Sequence, residues 1–248
     1  ALILVDKATV IETRSRKTFE EQNKRTKKRA EVFTPRWICT KMNNFLDEEW
    51  LGGEGFFKNY RWEDFEKRVK KDKCWKEYVE SRRLEITCGE APYLVTRYDV
   101  VTGEFLPVKE RDGILDRKLH LLSQHTRKPS SWLNWAKRAI EATYGYEFQG
   151  DNLLISRINV LRTIEDHYKD KWEESIPEDE LKKFIHIITW NIWQMDGLTG
   201  TLPYHKEIMG SGNLFTDYNE EDGKKEKEKT ACRIMNWKTG EPVWFESI

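Results

Sequence analysis

The sequence has no excess of either charge and no long hydrophobic run. Its 43 Lys and Arg residues balance 43 Asp and Glu residues, so the formal net charge at pH 7 is zero. Any attraction to nucleic acid or to an anionic membrane must therefore be local. The longest apolar-leaning stretch, Phe184 to Trp193, is interrupted by polar residues and is much shorter than the ~20 apolar residues of a membrane-spanning helix.

Cysteine is also scarce. Cys39, Cys74, Cys88 and Cys232 are far apart and form no Cys-x-x-Cys pair. This spacing argues against a zinc knuckle and against a disulfide framework. The stretch from Ala1 to Val5 is too short for the core of a secretory signal. We therefore expect a soluble protein in a reducing, cytoplasmic setting.

Large aromatic residues are abundant, with 11 Trp, 9 Tyr and 11 Phe in 248 residues. Disordered chains lack such apolar surface, so the composition predicts a folded protein although 35% of its residues are charged. The length suits one large domain, or one domain with an appendage, at ~150 residues per domain.

The segment from Arg14 to Arg29 contains eight basic residues against Glu20 and Glu21. It predicts a solvated basic helix. The plain interpretation is an exposed arm, and the alternative is a contact with the phosphates of double-stranded DNA, which requires a local patch of this kind.

Three strand-like stretches each lead to a glycine or an acid. Leu84 to Thr87 ends at Cys88-Gly89, and Tyr144 to Phe148 contains Glu147. Asn191 to Leu198, with Asp196, is predicted as a strand entering a loop, although the preceding helix could also continue through it. Helices separate the three stretches: Asp151 or Asn152 could cap the helix that follows Glu147, and Ser175 with Glu178 forms a possible capping box for the next one.

This alternation is typical of an open α/β sheet that holds a nucleoside at its strand ends. Glycine allows the backbone to approach a ligand closely, and an acid after the next strand accepts hydrogen bonds from ribose hydroxyls. Composition does not distinguish such a domain from a ligand-free α/β domain.

Four stretches, in the right order, resemble the cofactor motifs of DNA adenine methyltransferases of restriction-modification systems that have motif X on the N-terminal side. Glu31 to Arg36 is similar to motif X, whose centre is Phe-Thr-Pro, and Glu85 to Leu94 is similar to motif I. In motif I, Glu85 stands where the family has Asp, and Ala91 replaces the second glycine. Tyr144 to Asn159 resembles motif II, and Asn191 to Leu198 resembles motif III.

The resemblance implies a Rossmann-like α/β fold and S-adenosylmethionine as the cofactor. Motif X would pack on the cofactor, and motif I would flank its amino-acid end. Glu147 would hold the ribose, Phe148 would touch the adenine face, and Asp196 would accept from the adenine amine. The implied cofactor-binding residues are Phe33, Thr34, Pro35, Glu85, Thr87, Cys88, Gly89, Ala91, Glu147, Phe148 and Asp196.

The catalytic motif of the family, Asn or Asp followed by Pro-Pro and an aromatic residue, is absent because no two of the seven prolines are adjacent. The catalytic residues are therefore unknown and the predicted core is incomplete. We expect an N-terminal helical region with motif X over 1–83, and a cofactor-binding α/β core over 84–216 with an insertion near 95–130. A charged linker and a C-terminal hairpin would occupy 217–248.

The implied function is the cofactor-binding part of an enzyme that methylates the exocyclic amine of adenine in a restriction-modification or phage-defence system. The chain would be either a truncated product that lacks the catalytic segment or one half of a split enzyme, whose partner subunit would supply the catalytic and target-recognition segments. Double-stranded DNA is the expected partner, and it could contact the basic stretch Arg14 to Arg29. One alternative is a non-catalytic interaction subunit with a methyltransferase-like scaffold. A weaker alternative is a metal-dependent nuclease, because Glu180-Leu181-Lys182 has the Glu-x-Lys form.

Overall fold

Three parallel strands form the centre of the structure, a computed structural model that describes residues 13–29, 34–51, 75–203 and 231–247. The strand order is β1-β2-β3, and β4 and β5 form a separate antiparallel hairpin. The strands are β1 (Arg83–Glu85), β2 (Thr143–Glu147), β3 (Ile192–Gln194), β4 (Arg233–Asn236) and β5 (Glu241–Trp244). The described helices are α1 (Phe19–Arg29), α2 (Arg36–Leu51), α3 (Trp75–Glu80), α4 (Ile114–His125), α5 (Pro129–Glu141), α6 (Gly150–Trp172) and α7 (Glu178–Asn191).

The α/β class is confirmed, and so are the three predicted strand positions. In the register, Leu84 lies beside Tyr144, and Gly145 lies beside Ile192. The competition between strand and helix after Asn191 is resolved in favour of a strand, because α7 ends at Asn191 and β3 begins at the next residue. The predicted C-terminal hairpin is also present.

The two faces of the sheet pack against different material because side chains alternate along a strand. On one face, Gly145 contacts Cys88 and Ile192, and the helices α3 to α7 form the main core there. On the opposite face, Tyr146 and Trp193 pack against Ile234 of the hairpin. The sheet therefore lies between a helical layer and the β4-β5 hairpin.

The hairpin leaves part of its face of the sheet uncovered. A cleft of about 620 Å³ extends there from the β1-β2 side to the hairpin. Its walls include Leu84, Tyr144, Trp193 and Trp237. Beside the cleft, β1 is an edge strand of the described sheet, and Leu84 is 44% exposed.

The segment expected as an insertion near 95–130 contains part of the main core. Helix α4 buries Leu115, Leu119 and Leu122 in the same cluster as Ile188 and Ile192. Its backbone is joined to the loop after β1, since Ile114 N donates to Tyr93 O at 2.9 Å and Leu115 N donates to Leu94 O at 2.8 Å. This helix therefore packs as a core element.

Both predicted helix caps are wrong. Helix α6 begins at Gly150 with Gln149 in the capping position, and no side chain caps it. Helix α7 begins at Glu178, again without a side-chain cap, so the Ser175–Glu178 capping box does not form. Three acids in the first turn of α7 stabilise its start through the helix dipole instead.

A pair of histidines, the buried His167 and the half-buried His120, lies where α4 packs against α6. His167 Nε2 lies 2.9 Å from Asp116 Oδ1, and the rings of His120 and His167 have their centroids 4.7 Å apart. His120 Nε2 donates to Arg111 O at 3.1 Å. Burial, together with the charge of His167 and a smaller contribution from Arg111, lowers the pKa of His120 to about 4, against the opposing effect of Asp116.

We expect the folded protein to lose stability between pH 6.5 and pH 4 because of His120. In this window the unfolded chain binds a proton at His120 that the folded protein does not bind, so the free energy of unfolding falls as the pH falls. Urea unfolding at pH 7 and pH 5 measures the loss, and H120Q should reduce the difference between the two pH values. The exposed His186 provides the control H186Q, which should leave that difference unchanged; an H120Q protein with the wild-type pH dependence would contradict the assignment.

No helix in the described part of the chain is long and apolar enough to cross a membrane.

Candidate cofactor site

The carboxyl ends of the parallel strands meet at one edge of the sheet, and most of the predicted site residues lie there. The loop after β1 carries Thr87, Cys88 and Gly89, and β2 ends at Glu147. Phe148 is half-buried, and its carbonyl accepts a 3.0 Å hydrogen bond from the side chain of Gln194, the last residue of β3. This edge is where open α/β sheets bind ligands.

The loop after β1 has an unusual backbone. Thr87, Gly89 and Ala91 have φ values of 51°, 56° and 66°, all in the left-handed region. Non-glycine residues adopt this conformation at a cost, and such strain concentrates at functional sites. The φ of Ala91 is one that glycine adopts readily, and the alanine at this position is fully buried.

Glu147 joins this loop to β2. Its Oε2 accepts a hydrogen bond from Gly89 N at 2.7 Å, and its Oε1 accepts one from Gln149 N at 2.9 Å. Cys88 N donates to Tyr146 O at 2.8 Å. The glycine of the first loop and the acid of the second strand, which the sequence places far apart, are therefore in direct contact.

Glu85 is turned toward the protein backbone. Its carboxylate accepts from Tyr93 N at 3.4 Å and from Leu94 N at 3.2 Å. Burial raises the pKa of Glu85 well above its ordinary value, and the charge of Glu147 adds to this, although the two backbone bonds oppose it. Glu85 orders the end of the loop, and Thr87 on the same loop is exposed.

Glu90, which sequence reasoning did not select, is the hydrogen-bonded centre of the loop. Its Oε2 accepts from Tyr98 Oη at 2.6 Å, and its Oε1 accepts from Arg14 N at 2.7 Å. Asn159 Nδ2 donates to Glu90 O at 2.9 Å. The sequence feature that could have identified Glu90 is its place as an acid between Gly89 and Ala91 of the motif.

The motif X stretch reaches the same loop. Pro35 precedes the first turn of α2, and its carbonyl accepts from Ile38 N at 3.0 Å. The Tyr93 hydroxyl donates to Met42 Sδ of α2 at 3.2 Å, and Asn43 of α2 donates to Tyr93 O at 2.9 Å. Thr34 and Pro35 are thus positioned beside the end of motif I, whereas Phe33 lies outside the described residues.

Asp196 forms a turn after β3. Its Oδ1 accepts from Leu198 N at 2.9 Å, and its backbone N donates to Thr201 O at 2.8 Å. The side chain is half-buried, whereas Leu198 at the tip of the turn is exposed.

The basic segment is not simply a solvated arm, because it packs against the start of α6. Arg25 Nη1 lies 2.6 Å from Asp151 Oδ2, and Lys17 Nζ lies 3.6 Å from the same oxygen. Burial alone would raise the pKa of Asp151, but the hydrogen bond and charge of Arg25 and the charge of Lys17 lower it. Lys24 and Lys27 are exposed on the outer side of α1.

The Glu-x-Lys pattern of the nuclease hypothesis lies in helix α7. Glu180 is paired with Lys137 at 2.9 Å and with Lys183 at 2.7 Å, and Lys182 is paired with Glu178 at 2.9 Å. Within the described ranges, no group of three or more His, Cys, Asp or Glu residues could hold a metal ion. The arrangement gives the nuclease hypothesis no support.

Comparison of the chain with protein-family models, with curated proteins and with solved structures found no match.

Proposed function

We propose that these 248 residues form the S-adenosylmethionine-binding part of a DNA adenine methyltransferase whose catalytic segment lies outside them. The observation that carries the proposal is the contact between Gly89 N and Glu147 Oε2 at 2.7 Å. It joins a strained glycine loop and a buried acid at the carboxyl ends of neighbouring parallel strands, which is the arrangement used by nucleoside-binding α/β proteins.

The strand order supports the same proposal. A doubly wound sheet has the order 3-2-1-4-5-6, and its ligand lies outside the carboxyl ends of the strands. The order β1-β2-β3 with all strands parallel corresponds to the first half of that sheet. In this scheme a fourth strand would pair with β1, an edge of the described sheet, where Leu84 of β1 and Ile86 directly after it are exposed.

The chemistry of the residues fits the cofactor. Glu147 would accept from the ribose hydroxyls, and Phe148, which follows it directly, would contact the adenine ring. The loop from Thr87 to Ala91 would bring backbone N–H groups to the amino-acid end, with Thr34 and Pro35 beside it. Asp196 would hold the adenine amine. The bound cofactor would supply the methyl group, and the residues of this chain would bind and orient it.

A separate catalytic segment is part of the proposal because residues 1–248 contain no adjacent prolines and therefore no catalytic motif of the family type. Adenine in duplex DNA must be extruded from the stack before its amine can be methylated, and a pocket must then hold the flipped base. The chain alone is expected to bind the cofactor without methylating DNA.

Calorimetric titration with S-adenosylmethionine tests the proposal. The wild-type chain is expected to bind, and E147A is expected to weaken the affinity by about 10- to 100-fold, because hydrogen bonds to a charged group contribute roughly 1.5–3 kcal/mol each. E147Q retains one acceptor oxygen and should fall between the two proteins.

The exposed carboxylate of Asp179 provides the matched control D179A, which should bind like the wild type. Failure of the folded wild-type chain to bind would overturn the cofactor assignment and favour the non-catalytic scaffold. Efficient methylation of adenine by the purified chain alone would overturn the need for a separate catalytic segment.

A further inference from the structure

Lys17 places a buried cation at the candidate site, and this cation has no hydrogen-bond partner among the described residues. Its side chain is only 7% exposed, and its Nζ has no hydrogen-bond partner in the described structure. The nearest opposite charge is Asp151 Oδ2, 3.6 Å away, which is too far for a hydrogen bond. Burial of a charged amine without hydrogen bonds is costly, so this nitrogen requires an acceptor.

The first turn of α6, which contains Asp151, also holds a buried acceptor without a hydrogen-bond partner. Asn152 follows Asp151 in the first turn of α6 and is 1% exposed, and its Oδ1 has no hydrogen-bond partner within the described ranges. Buried polar atoms are nearly always hydrogen-bonded. Lys17 Nζ, which lies 3.6 Å from Asp151, and Asn152 Oδ1, in the next residue of α6, are therefore a donor and an acceptor that a polar ligand could satisfy.

The position of this pair relates it to the nucleoside end of the proposed site. Helix α6 begins directly after Glu147, Phe148 and Gln149, the residues at the end of β2. The arm, defined as residues 13–29, extends from Glu90 in the glycine loop, where Arg14 N binds, to Asp151 at the start of α6. It therefore spans the ends of β1 and β2.

Other contacts hold Lys17 in place. Gln22 Nε2 donates to Lys17 O at 2.9 Å and to Arg14 O at 3.0 Å, so helix α1 fixes the backbone on both sides of Ser15 and Arg16. Arg25 of the same helix pairs with Asp151 at 2.6 Å. Gln22 and Arg25 thus position the arm, whereas Lys17 is the residue directed to the incompletely satisfied turn.

We propose that the arm covers the nucleoside end of the site and that Lys17 is a further ligand-binding residue, which donates a hydrogen bond to an oxygen or nitrogen acceptor of the bound nucleoside. The inference rests on the proposed function and adds to it a binding residue and a cover that the sequence motifs do not contain. The arm then contributes to cofactor retention through its inner face, while Lys24 and Lys27 remain on its outer face.

Calorimetric titration with two ligands tests the role of Lys17. The ligands are S-adenosylmethionine and 5′-methylthioadenosine, which has the nucleoside but not the amino-acid end. K17M should weaken the affinity for both ligands by a similar factor of about 10 or more, which is the effect of losing a hydrogen bond from a charged donor. K24M removes an exposed lysine from the same arm and should bind both ligands like the wild type.

Each outcome has a distinct meaning. Wild-type affinity in K17M, with binding intact in the wild type, would overturn the role of Lys17 and leave the proposed function in place. A loss confined to S-adenosylmethionine would place Lys17 at the amino-acid end and overturn the nucleoside assignment. A wild-type chain that binds neither ligand would overturn the proposed function and this inference together.

Hydrogen exchange of the amides of residues 13–29 tests the cover separately, first without ligand and then with 5′-methylthioadenosine. D151N and R25Q remove one side of the ion pair each, and both should accelerate exchange in the arm while residues 178–191 of α7 exchange as in the wild type. 5′-Methylthioadenosine should slow exchange of the arm in the wild type, and less so in K17M. Equal exchange in D151N and the wild type would overturn the docking of the arm at Asp151.

Discussion

Replacement of Asp47 by asparagine is expected to lower the free energy of unfolding by about 3–5 kcal/mol, the cost of leaving a buried charge without its partner. Asp47 of α2 accepts from Arg117 Nη1 at 2.6 Å, from Arg83 Nη2 at 3.3 Å and from the Tyr78 hydroxyl at 2.9 Å on each oxygen. Arg117 is completely buried. One carboxylate therefore neutralises a cation in α4 and joins α2 to β1 and α3.

Urea unfolding of D47N and the wild type at pH 7 measures the effect. Arg117 also donates to two neutral acceptors, Asn44 Oδ1 at 2.7 Å and Asp112 O at 2.8 Å. The double variant D47N/R117M should recover part of the loss because it also removes the buried cation that Asp47 neutralises. The exposed substitution D179N is the control, and a D47N protein with wild-type stability would show that the buried pair contributes nothing.

The strands that position the site could be predicted because their signals are local. Tyr144 to Glu147 alternates between the two faces of the sheet and follows a helix, and it forms β2 as expected. Lys238 to Glu241 contains Gly240, whose φ of 74° suits the turn of the predicted hairpin. In both places, local conformational preference and tertiary packing favour the same structure.

The helix starts and the role of the arm could not be predicted because they depend on contacts between distant parts of the chain. Asp151 is of a residue type that commonly caps helices, but its carboxylate is bound by Arg25 and Lys17 instead. The basic segment has the composition of a solvated helix, and no local feature of the sequence indicates that two of its charges meet an acid in α6. A long-range ion pair of this kind leaves no periodic pattern.

The motif residues divide into two groups once their contacts are known. Gly89 and Glu147 meet at the strand ends, where the proposed nucleoside site would lie. Glu85 instead binds the backbone of Tyr93 and Leu94. Sequence similarity to a motif located the loop, but the partner of each carboxylate depends on how the loop folds back, which the strained conformations of Thr87 and Ala91 determine.

The loop after β1 approaches the start of α4 so closely that position 113 must be a glycine. A Cβ atom on Gly113 would lie 2.5 Å from Leu94 O and 2.7 Å from both Leu94 C and Val95 Cα. These are backbone atoms that cannot rotate away. Because the φ of Gly113 is −61°, alanine could adopt its conformation, so the expected effect of G113A is purely steric.

We expect G113A to lower the free energy of unfolding by about 3 kcal/mol or more, at the upper end of the usual range for overpacking. Leu94 would have to move, and its N–H is one of the two groups that hold Glu85, while its carbonyl accepts from Leu115 of α4 at 2.8 Å. The displacement would therefore disturb both the core at α4 and the loop that carries Gly89.

Thermal and urea unfolding of G113A measure the loss, and G150A is the matched control. A Cβ on Gly150 would meet only Gln194 Nε2, at 3.6 Å, which is ordinary contact, and alanine is favoured over glycine within a helix by roughly 0.5–1 kcal/mol. G150A should thus be as stable as the wild type or slightly more stable. If G113A proved as stable as G150A, the close approach of α4 to the loop after β1 would be wrong, and with it the physical link between the helical core and the candidate cofactor site.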